Sequence, residues 1–272
     1  MSPDNAPAPG HGGCPAAAMA EQKWPDSLWI VRHGQSSGNV ARAVAEADGI
    51  HTIDIAERDA DVPLSQLGEQ QSDALGRWFA GLGESARPQV VLHSPYVRAE
   101  QTARRVLAAG ALADVPRLQD ERLREKEFGV LDRLTLAGMR SRFPELAEQR
   151  QHVGKFYFRP PGGESWCDVI LRLRSFLAML TREYRGERVL VVGHQVIVNC
   201  LRYLLERLDE SAILAIDREN DVPNCAVTSY QFDATAGHHG KLVLALENFV
   251  SPLQEAGAAV TAAPDAAIAP KA

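Results

Sequence analysis

An Arg-His-Gly tripeptide follows an apolar run near the start of the chain and could bind or attack an anion. The run Leu28–Val31 predicts a strand, so Arg32 and His33 lie where a strand ends and a loop begins. Open α/β sheets bind ligands at this position. The loop continues with hydroxyl and amide groups, among them Ser36 and Asn39. Such a mixture of donors suits an anion with several oxygens, such as a phosphate.

Three more segments place polar side chains beside predicted strands. Arg98 falls in the first turn of a helix that follows a short apolar run, where backbone N–H groups also attract anions. His194 and Gln195 follow another apolar run and a glycine, and Glu125 belongs to a charged segment. Taken singly, each has an ordinary structural interpretation as a surface charge, a buried histidine or a solvated turn. These residues could form a functional site only if the fold brings them together.

Short apolar runs alternate with helical periodicity along the middle of the chain. The predicted strands are Leu28–His33, Val90–His93, Arg188–Val192, Ala226–Phe232 and Leu242–Leu246. The predicted helices are Ser65–Leu82, Pro95–Ala109, Gly163–Tyr184 and Val196–Arg207. Strands separated by helices predict an α/β fold, a three-layer α/β/α sandwich with a mostly parallel central sheet. We interpret residues 40–62 as an insertion over the strand ends.

Composition and charge restrict the possible partners. The chain has 272 residues, 45% of them hydrophobic, which is enough for one substantial core. Its net charge of −6 favours neither nucleic acid nor an anionic membrane, so an anion site must be built locally. We expect one domain over residues 25–252. Residues 1–24 and the Ala/Pro-rich residues 253–272 are predicted to be disordered tails.

Cysteine and histidine spacing points to a cytoplasmic protein without a metal site. The four cysteines form no C-x-x-C pair, which is typical of reduced thiols. The eight histidines have no zinc-ligand spacing, and no apolar stretch is long enough to span a bilayer. The opening segment has neither a basic start nor a proper apolar run, so we do not expect a signal peptide.

Taken together and in order, these segments resemble the histidine phosphatase superfamily, the phosphoglycerate mutase-like group, over roughly residues 28–247. The first resemblance is the Arg-His-Gly tripeptide, and the second is Asp61–Gly68, which is similar to that family's D-x-P-L-[ST]-x-x-G element. The segments around Arg98, Glu125 and His194 match the other three. Five agreeing segments are far more specific than one. The resemblance implies a phosphoglycerate mutase-like fold.

The resemblance also implies roles for individual residues. His33 would be the nucleophile, attacking phosphorus with a neutral ring nitrogen. Arg32 and Arg98 would stabilise charge on the phosphoryl oxygens, with His194 as a further donor. Glu125 would act as acid and then base. The residues expected to bind substrate are Arg32, Ser36, Asn39, Arg98, His194 and Gln195.

Two other acids remain open as proton donors. Glu127 and Asp132 lie two and seven residues after Glu125, and the sequence alone does not exclude them. Because arginines would supply the positive charge, the resemblance implies no metal and no cofactor.

Two chemistries share this apparatus within the family, and the chain resembles the phosphatase branch. The stretch from Lys126 to Gly163 is short, whereas mutases have a longer one. We therefore expect a histidine acid-type phosphatase acting on a small phosphomonoester. The alternatives are a cofactor-dependent phosphoglycerate mutase and a non-catalytic phospho-ligand binding protein. Residues 155–159 could form a lid or could simply pack under a loop, and nothing in the sequence indicates an oligomeric state.

Overall fold

A computed structural model of the protein describes residues 22–219 and 221–262. Its strands are β1 (Ser27–Arg32), β2 (Val90–His93), β3 (Arg117–Gln119), β4 (Arg188–Gly193), β5 (Val227–Asp233) and β6 (Lys241–Phe249). Its helices are α1 (Ser37–Ala47), α2 (Gln66–Gly81), α3 (Val97–Ala109), α4 (Leu136–Arg142), α5 (Pro144–Val153), α6 (Trp166–Glu183), α7 (Gln195–Glu206), α8 (Glu210–Glu219) and α9 (Ser251–Glu255).

The strands form one sheet in the order β3-β2-β4-β1-β5-β6. The first four are parallel, and β5 and β6 complete the sheet in antiparallel pairing. Successive side chains of a strand point to opposite faces of a sheet. Accordingly, Leu28 and Ile30 of β1 are buried against α6 and α7, whereas Trp29 and Val31 pack on the side of α2 and α3. Helices therefore cover both faces, and the predicted α/β sandwich with a mostly parallel sheet is confirmed.

The predicted helices and strands agree with the structure, with shifts of a few residues at their ends. Ser65 caps α2 by accepting the N–H of Gly68, and Ser165 caps α6 in a capping box with Asp168. The predicted insertion over residues 40–62 is partly regular, because α1 occupies its first part. This helix ends at Ala47 and is followed by Asp48 and a glycine.

Contacts with the fold extend a few residues beyond both predicted domain boundaries. Leu253 of α9 is fully buried against the α2 face of the sheet, and residues up to Thr261 bond to the fold. The Ala/Pro-rich composition concealed this one apolar anchor. Trp24, placed in the predicted N-terminal tail, packs on the core beside α6. The rest of the predicted tails, residues 1–21 and 263–272, lies outside the described residues.

Within the described ranges, no helix combines the length and apolarity needed to cross a bilayer.

Candidate active site

The candidate site lies at the carboxyl edge of three neighbouring parallel strands. The register pairs Arg32 of β1 with Gly193 of β4, and His93 of β2 with Val192 of β4. The residues that follow these strands, including His33 and His194, therefore emerge at the same edge. Parallel sheets bind ligands there because loops and helix N-termini converge at that edge.

The ring of His33 is held in one tautomer. Its Nδ1 lies 2.7 Å from the carbonyl oxygen of Gly34, and a carbonyl oxygen only accepts, so Nδ1 carries the proton. Nε2 is then unprotonated, and the Nε–H of Arg98 donates to it over 3.2 Å. His33 has no exposed surface. A neutral, oriented ring nitrogen beside a fixed cation is the arrangement that nucleophilic attack on phosphorus requires.

A close contact with α2 explains why glycine follows His33. A side-chain carbon on Gly34 would overlap the backbone of Gly68, and one on Gly68 would overlap the carbonyl oxygen of Gln35. Two glycines therefore allow the loop after β1 to lie directly on the start of α2.

His194 stands beside His33, with 5.1 Å between the ring centroids. Its Nε2 lies 2.8 Å from Oγ of Ser94, and its Nδ1 lies 3.9 Å from Oε2 of Glu125. Both His194 and Glu125 are almost fully buried. Glu125, His194 and His33 therefore form one group.

Backbone contacts fix the position of Glu125. The N–H of Lys126 donates to its Oε1 at 2.7 Å, and Arg172 of α6 donates to its carbonyl oxygen at 3.2 Å. Arg172 is itself held by Glu164, with an Nε–Oε1 distance of 3.0 Å. The pKa of Glu164 lies below its usual value: burial alone would raise it, but hydrogen bonds and the charge of Arg172 outweigh that effect.

The two rival acids occupy different places. Glu127 accepts a hydrogen bond from the hydroxyl of Tyr96 at 3.1 Å, and about half of its side chain is exposed. Asp132 lines a cavity beside Asp59, where burial, followed by the charge of Asp59, raises its pKa. Of the three acids, Glu125 is the one in contact with His194.

Arg98 also forms an ion pair with a carboxylate of the same chain, that of Asp59, which the sequence did not predict. Asp59 lies in the former insertion, and its Oδ1 is 3.0 Å from Nη1 of Arg98, whose Nη1 also donates to the Asp59 carbonyl at 2.6 Å. Both side chains line a cavity of about 40 Å³ together with Ile55 and Phe128. No motif marks Asp59, because the segment around it has no periodicity.

The remaining predicted substrate-binding residues have visible structural partners. Arg32 donates from Nη1 to the carbonyl of Val222 at 2.6 Å. Ser36 and Asn39 form the capping box of α1, in which the side-chain oxygen of Asn39 accepts the N–H of Ser36 at 3.0 Å. Gln195 donates to Asp221 at 2.9 Å. These bonds orient the side chains and bring them to the edge that carries His33.

Residues 155–159 are largely packed rather than open. Phe156 and Phe158 are buried, and the ion pairs Lys155–Asp217 and Arg159–Asp168 hold the segment to α8 and α6. The guanidinium of Arg159 therefore contacts the capping box of α6.

Lys126 was not predicted as a site residue, but it lies next to Glu125 and is 6% exposed. Burial lowers its pKa to about 8, although the charge of Glu125 acts in the opposite direction. Its ammonium group lies 4.4 Å from the centre of the Phe128 ring. A lysine whose lowered pKa lets it lose its proton more easily than usual therefore lies beside the candidate acid, Glu125.

Among residues 22–219 and 221–262, no group of three or more His, Cys, Asp or Glu side chains could hold a metal ion.

Sequence comparison decides the family. The profile of the histidine phosphatase superfamily (branch 1) matches residues 28–243. This chain belongs to that superfamily. Among curated members, a 2,3-bisphosphoglycerate-dependent phosphoglycerate mutase of Rhizobium etli is 29% identical over 201 residues, which cover 72% of this chain and 87% of the mutase. A 6-phosphofructo-2-kinase/fructose-2,6-bisphosphatase of Caenorhabditis elegans is 31% identical over 222 residues, 78% of this chain and 43% of that protein.

Solved structures of the superfamily share the fold. YhfR of Bacillus stearothermophilus is 26% identical, with a TM-score of 0.64 over 84% of this chain and 98% of YhfR. A mycobacterial glucosyl-3-phosphoglycerate phosphatase, solved with inorganic phosphate, has a TM-score of 0.61 at 23% identity, covering 84% and 99% of the two chains. Relatives of this superfamily member thus include proteins named mutases and proteins named phosphatases.

Proposed function

We propose that this superfamily member hydrolyses small phosphomonoesters through a phosphohistidine on His33. The observation that carries the proposal is the hydrogen bonding of the His33 ring. The carbonyl of Gly34 holds the proton of Nδ1, and Arg98 lies on the opposite nitrogen at 3.2 Å. This pairing supports attack by Nε2 on a phosphorus atom whose oxygens are bound by arginine.

In the first step, Nε2 of His33 forms a bond to phosphorus while the ester P–O bond breaks. Arg32, Arg98 and the ring of His194 stabilise charge on the phosphoryl oxygens. The leaving alkoxide takes a proton from Glu125. The 3.9 Å distance between Oε2 of Glu125 and Nδ1 of His194 supports this assignment. The products of this step are a free alcohol and the phosphoenzyme.

In the second step, Glu125 accepts a proton from water, and the water oxygen attacks phosphorus. The P–N bond then breaks, releasing orthophosphate and restoring neutral His33. We assign the positive charge in both steps to arginines rather than to a metal, and we place the reaction in the cytoplasm because the cysteine spacing is typical of reduced thiols.

Hydrolysis is preferred to mutase activity because the stretch between Glu125 and Gly163 is short, filled by α4, α5 and the packed segment 155–159. Names among the relatives favour a second candidate, since several curated ones are phosphoglycerate mutases. A mutase returns the phosphoryl group to a bound phosphoglycerate and releases no phosphate.

The test is a panel of sugar phosphates, phosphoglycerates, nucleotides and phosphopeptides, with orthophosphate release and phosphoglycerate isomerisation measured in parallel. We expect release from at least one ester, an acid-labile phosphoenzyme in rapid-quench samples, and neither in His33→Ala. Activity that survives in folded His33→Ala, or isomerisation without release, would overturn the proposal.

A further inference from the structure

The last described residues return to the back of the loop that carries His33. They follow α9 and lie beyond residue 243, where the match to the superfamily ends. Leu253 anchors α9 in the core with no exposed surface. Residues 259–261, which we call the C-terminal strut, then reach the side chains of Gln71 and Asn224. The strut therefore lies outside the matched segment and contacts residues that hold the loop carrying His33.

Four hydrogen bonds join the strut to those two residues, three of them through the side-chain amides. Gln71 Nε2 donates to the carbonyl of Ala259 at 2.8 Å and to Oγ1 of Thr261 at 2.9 Å. Oγ1 of Thr261 donates to Oδ1 of Asn224 at 2.9 Å, and the backbone N–H of Asn224 donates to the carbonyl of Thr261 at 2.8 Å. The hydroxyl of Thr261 thus accepts from one amide and donates to the other.

The opposite ends of the same amides hold the loop. Oε1 of Gln71 accepts the N–H of Gln35 at 2.8 Å. Nδ2 of Asn224 donates to the carbonyl of His33 at 3.0 Å and lies 3.4 Å from Oδ1 of Asn39. Neither amide has exposed surface. Rotating the Gln71 amide by half a turn would set donor against donor at Gln35 and acceptor against acceptor at Ala259. Rotating the Asn224 amide would set acceptor against acceptor at the carbonyl of His33, so each amide has one permitted orientation.

We propose that Thr261 is a positioning residue for His33. Its hydroxyl bridges the side chains of Gln71 and Asn224 and holds them in place, and these two amides fix the backbone on both sides of Gly34. That backbone includes the carbonyl oxygen of Gly34, which holds the His33 ring in its tautomer. The inference rests on the proposed function, because it assumes that His33 is the reacting group.

A purely structural role explains the contacts less well. Packing of the C-terminal segment is supplied by Leu253, which lies among Trp78, Phe79 and other apolar residues. The hydroxyl of Thr261 adds nothing to that packing. It instead forms hydrogen bonds with the buried amides of Gln71 and Asn224. A displacement of a reacting group by about 1 Å can lower the reaction rate about 10²-fold.

The experiment compares Thr261→Val, which removes the hydroxyl at constant shape, with Thr261→Ser, which keeps it. Both are made in the full-length chain and assayed with p-nitrophenyl phosphate. We expect kcat to fall about tenfold in the valine variant with KM within about twofold, and the serine variant to recover to within about twofold. Thr181→Val is the matched control, since that hydroxyl bonds to Ala178 within α6. Its kcat should be unchanged.

A destabilised variant separates positioning from general loss of structure. Leu112→Ala enlarges the same core near the end of α3 farthest from Arg98. It should lower the melting temperature at least as much as Thr261→Val while kcat, measured well below that temperature, stays within about twofold. An equal loss of kcat in both variants, or no loss in Thr261→Val, would overturn the inference.

Orthovanadate binding keeps the two proposals distinguishable. If the wild type turns over none of the esters, the proposed hydrolysis fails, but calorimetric titration with orthovanadate still reports the anion site beside His33. We then expect the dissociation constant to rise about fivefold in Thr261→Val and to recover in Thr261→Ser. An unchanged dissociation constant in Thr261→Val would overturn the positioning role of Thr261, whether or not the proposed hydrolysis holds.

Discussion

Removing the charge of Asp59 should strengthen phosphate binding. In the structure, the carboxylate of Asp59 contacts both terminal nitrogens of Arg98, at 3.0 and 3.3 Å. Because Arg98 is expected to bind phosphoryl oxygens, an incoming dianion must compete with this carboxylate. Asp59→Asn removes the charge, while the backbone carbonyl of residue 59 still holds Nη1 of Arg98.

The size of the effect follows from the exposure of the pair. The side chain of Arg98 is 3% exposed and that of Asp59 is 34% exposed. A buried charge-assisted hydrogen bond contributes about 1.5–3 kcal/mol, whereas a surface ion pair contributes about 0–1 kcal/mol. An intermediate value of about 1.4 kcal/mol corresponds to a factor of ten in binding. We therefore expect the inhibition constant for inorganic phosphate to fall about tenfold.

The assay measures competitive inhibition of ester hydrolysis by phosphate, with KM from the same curves. Asp54→Asn is the control, because it removes an exposed charge from the same segment of the chain. The control should change the constant by less than twofold. An unchanged or higher inhibition constant in Asp59→Asn, or an equal fall in both variants, would refute the competition.

Three further predictions concern the acid, its neighbour and the loop contact. Glu125→Gln should slow turnover about 10²–10⁴-fold and let phosphoenzyme accumulate in rapid-quench samples; if Glu127→Gln were slower, the acid would be Glu127. Lys126→Met should raise the free energy of unfolding at pH 7 by up to about 3 kcal/mol, because the folded pKa of about 8 lies below the ordinary value. In urea titrations this advantage should be full below pH 8 and vanish as pH rises through about 10.5; a pH-independent difference would contradict burial as its cause. Gly68→Ala should lower stability by about 1–3 kcal/mol through overlap with Gln35, whereas Gly81→Ala in the same helix meets no atom and should not destabilise; equal denaturation midpoints would contradict the overlap.

Elements with a clear apolar pattern could be predicted from the sequence. The strands β1, β2 and β4 are continuous apolar runs, and Ser65 marks the start of α2. The placement of His33, Arg98 and His194 at one edge follows from parallel pairing of those strands. Glu125 instead follows β3, a three-residue exposed strand that the apolar pattern did not predict. Helix α1 was missed because its apolar face is short and largely exposed at Val40 and Val44.

Side-chain pairs between distant segments could not be predicted. Asp59 meets Arg98, and Thr261 meets Gln71 and Asn224, across separations of up to 190 residues. No periodicity encodes such pairs, because each depends on where two loops end after the sheet has formed. The contacts of Leu253 and Thr261 beyond residue 252 could not be predicted for the same reason.

The strand order has a consequence for how the protein is made. Strand β1, which leads into His33, leaves the ribosome first, but its two neighbours are β4 and β5, which end at residues 193 and 233. Until those residues have emerged, the apolar strand β1 has no hydrogen-bonding partner on either side. Exposed, unpaired strands of this kind promote aggregation. The site around His33 can therefore form only after β4 and β5 have been synthesised. A ribosome-stalled fragment that ends before β4 should bind chaperones and should not bind orthovanadate.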